Sequence, residues 1–255
     1  MYQLIKLFVL VSFLAGCQSI QFKDEGVYNS FDLTEVSTIE VKPSTEVEKS
    51  PWGIQFNPLP PHHSISVSDV TDRTSDSIIN ILLEKVNSIG VKWARFSINW
   101  STVEDSTGAF HWNYVDQTIH GLKSLGIEPY VCLHGGHPVH TKLNPPVTDQ
   151  QIQHWSRFVD SFCTRFRQKI KYYEIWNEPN YPSFWKPAPD ATAYVNLVKT
   201  SVEIIRNHRS DAIILGGSTA RLDFPYARQL FKEGIANYID VFTIHPYNAI
   251  PEGML

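Results

Sequence analysis

Tyr172-Tyr173-Glu174-Ile175-Trp176-Asn177-Glu178-Pro179-Asn180 is the stretch on which the reading of this chain turns. It begins as the aromatic and β-branched run of a buried strand. It ends on an amide and an acid, stopped by proline. A buried strand finishes on a carboxyl group only where that group faces a cleft, because burying an unpaired charge is costly. Aromatic surroundings disfavour the ionised form and can keep the acid protonated, the setting of a general acid. Glu178 is therefore the first candidate catalytic residue.

Outward from this stretch, short apolar runs alternate with amphipathic ones. Strands are predicted over 52–56, 91–98, 127–133, 171–176, 212–215 and 239–244. Helices are predicted over 77–88, 114–125, 149–168, 191–207 and 226–233. In the first helix Ile78, Leu82, Val86 and Ile89 share a face, and Gly90 is the stop. Asp190 reads as an N-cap. Such alternation implies a parallel sheet, and both a doubly wound sheet and a (β/α)8 barrel produce it. Two features favour the barrel. No glycine-rich phosphate loop follows the first strand. Polar or aromatic residues follow nearly every strand: Asn57, Asn99, Trp100, His134, Asn177, Glu178 and His245. A barrel gathers its C-terminal strand ends on one face, where active sites lie. The expected fold is thus an incomplete (β/α)8 TIM barrel, with about six of eight βα units present.

The chain has 255 residues, of which 42% are hydrophobic and 13% aromatic, enough for one sizeable core. The net charge is -4, and no basic stripe points to nucleic acid. Lys6, the apolar run 7–14 and Leu14-Ala15-Gly16-Cys17 read as a targeting segment too short to span a bilayer. Leu-Ala-Gly-Cys resembles the bacterial lipobox. That resemblance implies a signal peptide over 1–16 and palmitate-type lipidation of Cys17. With Gln18 following the cysteine, it also implies a place in the outer membrane of the cell envelope. Residues 17–50 are rich in Ser, Thr, Glu and Lys and read as a flexible tether, leaving 51–255 for the partial barrel. Cys132 and Cys163 fall in apolar patterns and are expected to be buried free thiols. No spacing of metal ligands is present, and no cofactor is expected.

Several motifs carry a resemblance to a known family. Trp176-Asn177-Glu178-Pro179 is similar to the acid/base motif of the retaining glycoside hydrolases of clan A. Arg95, then Trp100 and Glu104, then Gly108-Ala109-Phe110-His111-Trp112, follow in the order found in such enzymes. Phe184-Trp185-Lys186-Pro187 and Ile244-His245-Pro246-Tyr247 resemble glycoside hydrolase family 39 and its exopolysaccharide-hydrolase relatives. The similarity runs from about residue 52 to the C-terminus. It implies a retaining glycosidase acting on a poly- or oligosaccharide, with Glu178 as acid/base. It also implies that Asn177 meets the sugar 2-hydroxyl and that Arg95 lies beside the nucleophile carboxylate. His134, His245, Tyr247 and Trp185 complete the expected substrate-binding set. Glu104 reads as structural, holding the loop after the second predicted strand.

Retaining hydrolysis needs two carboxyls about 5–5.5 Å apart. In this clan the second is a Glu ending the seventh barrel strand. Glu203 and Glu233 lie in helical patterns, and Glu252 has no strand before it. The nucleophile is therefore expected beyond residue 255, and the chain as given is expected to be inactive. The alternative from another class is a non-catalytic glycan-binding or surface-structural lipoprotein.

Overall fold

A computed structural model describes residues 6–9, 53–58 and 76–247. Cys17, the predicted tether and Glu252 lie outside the described residues. Seven strands, β1 (Lys6–Val9), β2 (Gly53–Phe56), β3 (Trp93–Asn99), β4 (Glu128–His134), β5 (Tyr172–Ile175), β6 (Ile213–Ala220) and β7 (Val241–His245), form one sheet. Every pairing is parallel, in the order β1-β7-β6-β5-β4-β3-β2. The intervening helices are α1 (Asp76–Ile89), α2 (Asn113–Ser124), α3 (Pro138–Thr141), α4 (Asp149–Phe166), α5 (Ala191–His208) and α6 (Phe224–Lys232).

From β2 to β7 each strand lies beside its predecessor in sequence. That is the winding of a barrel, without the reversal of order that marks a doubly wound sheet. The six strands form an open half-barrel, consistent with an incomplete (β/α)8 fold. β1 adds a seventh strand beside β7, with Lys6 opposite Val241 and Val9 opposite Ile244. It comes from the apolar part of the predicted targeting segment, for which the sequence pattern gave no strand.

The helices pack by apolar faces, but α1 is turned from the face its spacing predicts. Ile79, Leu83 and Val86 are buried, Leu82 is half-buried, and Ile78 and Ile89 are exposed, because the i, i+4, i+7 set one residue on is the one that meets the sheet and α2. α4 is the firmest case. Thr148 and Gln151 form a capping box at its start, and Trp155, Phe158, Val159, Phe162, Cys163 and Phe166 are buried. Asp190 caps α5, accepting from Ala193 N at 2.9 Å. Cys132 and Cys163 are buried and unpaired. Glu104 holds the loop after β3, accepting from Trp100 Nε1 at 2.5 Å and bonding His140 Nε2 at 3.0 Å and Arg157.

Two more features depart from the sequence reading. The strand expected over 212–215 continues to Ala220, past Gly216 and Gly217. A register shift between Gly216 and Thr219 marks a β-bulge, with φ 90° at Gly217 and 45° at Ser218. α3 was not anticipated: four residues give no periodicity, and its signal is only Pro138 behind the N-cap His137.

Candidate active site

The motif owes its geometry to strained backbone. β5 ends at Ile175, and the chain then passes through left-handed conformations at Trp176 (φ 68°) and Glu178 (φ 51°). Each such residue costs on the order of 1–3 kcal/mol and persists only where its surroundings hold it. Here Trp176 N donates to Leu133 O at 2.8 Å and Glu178 N donates to Ser218 O at 3.0 Å. Asn180 then fastens the loop to β6. Its Nδ2 donates to Ala220 O at 2.9 Å, and its Oδ1 accepts from Ala220 N at 2.7 Å.

The side chains so placed close into a ring of contacts. Asn177 Oδ1 accepts from Arg95 Nη2 at 2.9 Å. Arg95 Nε donates to Glu174 Oε2 at 2.6 Å. Glu174 Oε1 accepts from Ser218 Oγ at 2.8 Å and lies 3.5 Å from His245 Nε2. His245 Nδ1 is 2.9 Å from Glu178 Oε1. The ring thus leaves the chain at Asn177 and returns to it at the next residue, Glu178.

Electrostatics agree with this geometry. Burial works to raise the Glu174 carboxyl, but the Arg95 guanidinium and His245 outweigh it and hold it well below the usual carboxylate range. Burial works to lower His245, but its hydrogen bonds to Glu174 and Glu178 raise it above the ordinary histidine value. Tyr247, though about half exposed, is pushed up to about 12, first by partial desolvation and then by the Glu178 carboxylate. Its ring centroid is 6.1 Å from that of His245.

The expected residues divide into two groups. Glu178, 6% exposed, sits with Asn177, His245 and Tyr247 at the C-terminal end of the sheet. His134 ends β4 and lines a neighbouring cavity of about 400 Å3 together with Asn99, Gly135, Gly136, Trp176 and Lys186. Two residues of the expected substrate-binding set are placed otherwise. Arg95 is 1% exposed, and its guanidinium is taken up by Glu174, Ser97 and Asn177. Its influence on a ligand passes through Asn177 and, by way of Glu174, through His245. Trp185 is also 1% exposed, packed edge-on to Trp176 and Tyr194 at 5.3 and 5.7 Å. It belongs to the core rather than to the wall of a sugar site.

Glu174 was missed, although it stands in the opening stretch. The available signal was a charged residue inside an otherwise apolar strand, which must find a buried partner. Arg95, two strands away, is that partner. Among the described residues no group of three His, Cys, Asp or Glu side chains is placed to hold a metal ion.

His137 has a structural place. Its Nδ1 accepts from Val139 N at 3.3 Å at the start of α3, and its Nε2 lies 3.0 Å from Glu104 O. The donor to Nδ1 is an amide, so Nε2 carries the ring proton. Protonating Nδ1 removes the cap. Burial lowers the His137 pKa from 6.5. The folded state therefore binds this proton less readily than the unfolded one. Its contribution to stability is present above pH 6.5 and is lost as pH falls below that value. In thermal melts from pH 7.5 down to 5, His137→Asn, which keeps a capping acceptor, should lose less stability than the parent.

A family model described as glycosyl hydrolases family 39 matches residues 75–249, more than half of the chain. Among solved structures, a family 39 glycoside hydrolase from Bacteroides cellulosilyticus WH2 aligns with TM-score 0.59 and 18% identity, covering 77% of this chain and 38% of its own. A GH39 β-xylosidase from Caulobacter crescentus aligns with TM-score 0.58 and 21% identity, covering 79% and 47%. The GH39 enzyme from Xanthomonas axonopodis pv. citri gives 0.56 and 19%, covering 76% and 40%. At these identities the likeness establishes the fold. The chain spans less than half the length of each of these structures. No curated protein sequence matches it significantly.

Proposed function

The chain belongs to glycosyl hydrolases family 39, and from that membership we propose that it bears the acid/base half of a retaining glycosidase. Its substrate on this reading is a β-linked poly- or oligosaccharide. The carrying observation is Glu178 at the end of β5, aimed by left-handed backbone and bonded to His245 at 2.9 Å.

Glu178 protonates the glycosidic oxygen as the bond breaks, then takes a proton from the water that releases the sugar. The hydrogen bond from His245 fixes Oε1 and holds a proton beside it. Asn177, its Oδ1 occupied by Arg95, is left with its amide N–H groups to meet a sugar hydroxyl. Such a bond strengthens as oxocarbenium character develops. Arg95 and Glu174 are positioning residues that fix Asn177 and His245.

The nucleophile is a different group. Among the described residues the second carboxyl of the cluster is Glu174, but it is buried and committed to Arg95 and Ser218. Glu203 lies on α5 and Glu233 caps the end of α6. Residues 52–255 alone should therefore give no turnover of aryl β-glycosides. A β-xyloside is the first to try, since one similar structure is a β-xylosidase. The same chain extended by the two closing βα units of a family 39 relative should turn over. Turnover by residues 52–255 would refute the absent nucleophile. A silent extended chain that is folded would refute the glycosidase reading.

We also infer that Cys17 is lipidated and tethers the barrel to the bacterial cell envelope, at the outer membrane; cleavage before Cys17 then removes β1, and the mature sheet runs from β2 to β7. Leu14-Ala15-Gly16-Cys17 supports this. Metabolic labelling with a fatty-acid analogue should mark the parent and not Cys17→Ser; equal labelling of both would sink the anchor.

A further inference from the structure

We propose that Tyr194, a fully buried residue of α5, is a positioning residue for the acid: its hydroxyl wedges β5 from β6 and so sets where Glu178 stands. Its effect on turnover rests on the glycosidase reading; the wedge itself does not.

β5 and β6 pair in regular register as far as Glu174 opposite Leu215, and the pairing ends there. Just beyond that point one hydroxyl stands between the two strands. Tyr194 Oη donates to Ile175 O at 2.9 Å and accepts from Gly217 N at 3.0 Å. A hydroxyl carries both a donor and acceptor lone pairs, so one side chain serves both backbone groups. Packing alone does not call for it. A phenylalanine ring would lie edge-on to Trp185 equally well, and a buried hydroxyl without partners costs stability.

The two bonds lie at the roots of both arms of the site. One residue after Ile175 the chain turns left-handed at Trp176, on its way to Asn177 and Glu178. One residue after Gly217 it turns left-handed at Ser218. The arms then meet, with Glu178 N donating to Ser218 O at 3.0 Å and Ser218 Oγ donating to Glu174 Oε1 at 2.8 Å. Without the hydroxyl, the Ile175 carbonyl and the Gly217 amide are left buried and unpaired. Such groups are costly, so the strands should close on each other or admit water. Either change displaces Ser218, and Glu178 with it.

The test starts from the full chain, with amide hydrogen exchange read residue by residue in the parent, Tyr194→Phe and Val198→Ala. Val198 is buried one turn further along the same helix, so its truncation controls for lost stability alone. In Tyr194→Phe the Gly217 and Glu178 amides should exchange about tenfold faster than in Val198→Ala, the scale of a lost hydrogen bond to a buried group. Amides of α4 should not distinguish the two variants. In the barrel-completed enzyme Tyr194→Phe should lower kcat about tenfold on poor leaving groups and much less on good ones, with KM held, because a displaced acid fails only where a proton is needed. Val198→Ala should show no such dependence on the leaving group. Exchange at Glu178 no faster than in Val198→Ala overturns the proposal. So does a loss of kcat that is equal across leaving groups. Collapse of Tyr194→Phe where Val198→Ala folds overturns it too, since the hydroxyl then carries the fold rather than the site. A completed parent that is folded yet silent overturns the glycosidase reading, and the exchange result still decides for or against the wedge.

Discussion

Glu178→Gln in the barrel-completed enzyme slows hydrolysis of glycosides with poor leaving groups by about 10²–10⁴-fold. Glycosides with good leaving groups lose much less in the first step, because they depart without a proton. The amide keeps the shape of the carboxyl and a partner for His245, so the loss reports proton transfer rather than collapse of the site. In Glu178→Ala, added azide enters in place of the water that Glu178 would have activated. On an activated β-linked substrate the expected product is a β-glycosyl azide. Steady-state kinetics over a series of leaving-group pKa values checks the first statement, and product NMR the second. Full activity of Glu178→Gln on an unactivated glycan removes Glu178 from the acid/base role.

Arg95→Met should be the most damaging single change to stability. It leaves Glu174 buried and charged without its guanidinium, a loss of about 3–5 kcal/mol for a broken buried pair. It also frees Asn177, so a completed enzyme should lose kcat along with stability. The parent cluster has a pH window. Glu174 is held low, so its contribution is present above the ordinary glutamate value of 4.5 and is lost as pH falls through its folded value. His245 is raised, so its contribution is fully present below 6.5 and is lost as pH rises through its folded value. The two overlap between about pH 4.5 and 6.5. Urea unfolding across pH 4–8 should show the Arg95→Met penalty greatest where Glu174 is ionised. A penalty under 1 kcal/mol would show that the pair is not held as described.

Much of this was legible in the sequence because it is periodic. The helix of 149–166 has a capping box, an apolar face and a length that no strand could share. The order of βα units followed from such elements, and so did the placement of Asn177, Glu178 and His245 at strand ends. What escaped reading depends on distant neighbours. Nothing in the local pattern separates Trp185, buried on Trp176, from a tryptophan exposed on a rim. Arg95 gives the same signal whether it faces a ligand or Glu174. Gly216 and Gly217 look like the end of a strand, and only pairing with β7 shows that the strand bulges and continues.

That bulge has an evolutionary consequence. Ser218 accepts from Glu178 N through its carbonyl, donates to Glu174 through its hydroxyl and donates through its backbone N–H to Thr243 Oγ1 on β7 at 3.1 Å. Gly217 beside it has no room to drift, since a Cβ there would meet Phe242 Cε2 at 2.6 Å. One irregularity in β6 therefore sets the position of both carboxyl groups at once. Substitutions at 174, 178, 217 and 218 should be strongly epistatic. A lineage that alters one of them is committed to the others, and the four positions should be inherited and exchanged as a single character.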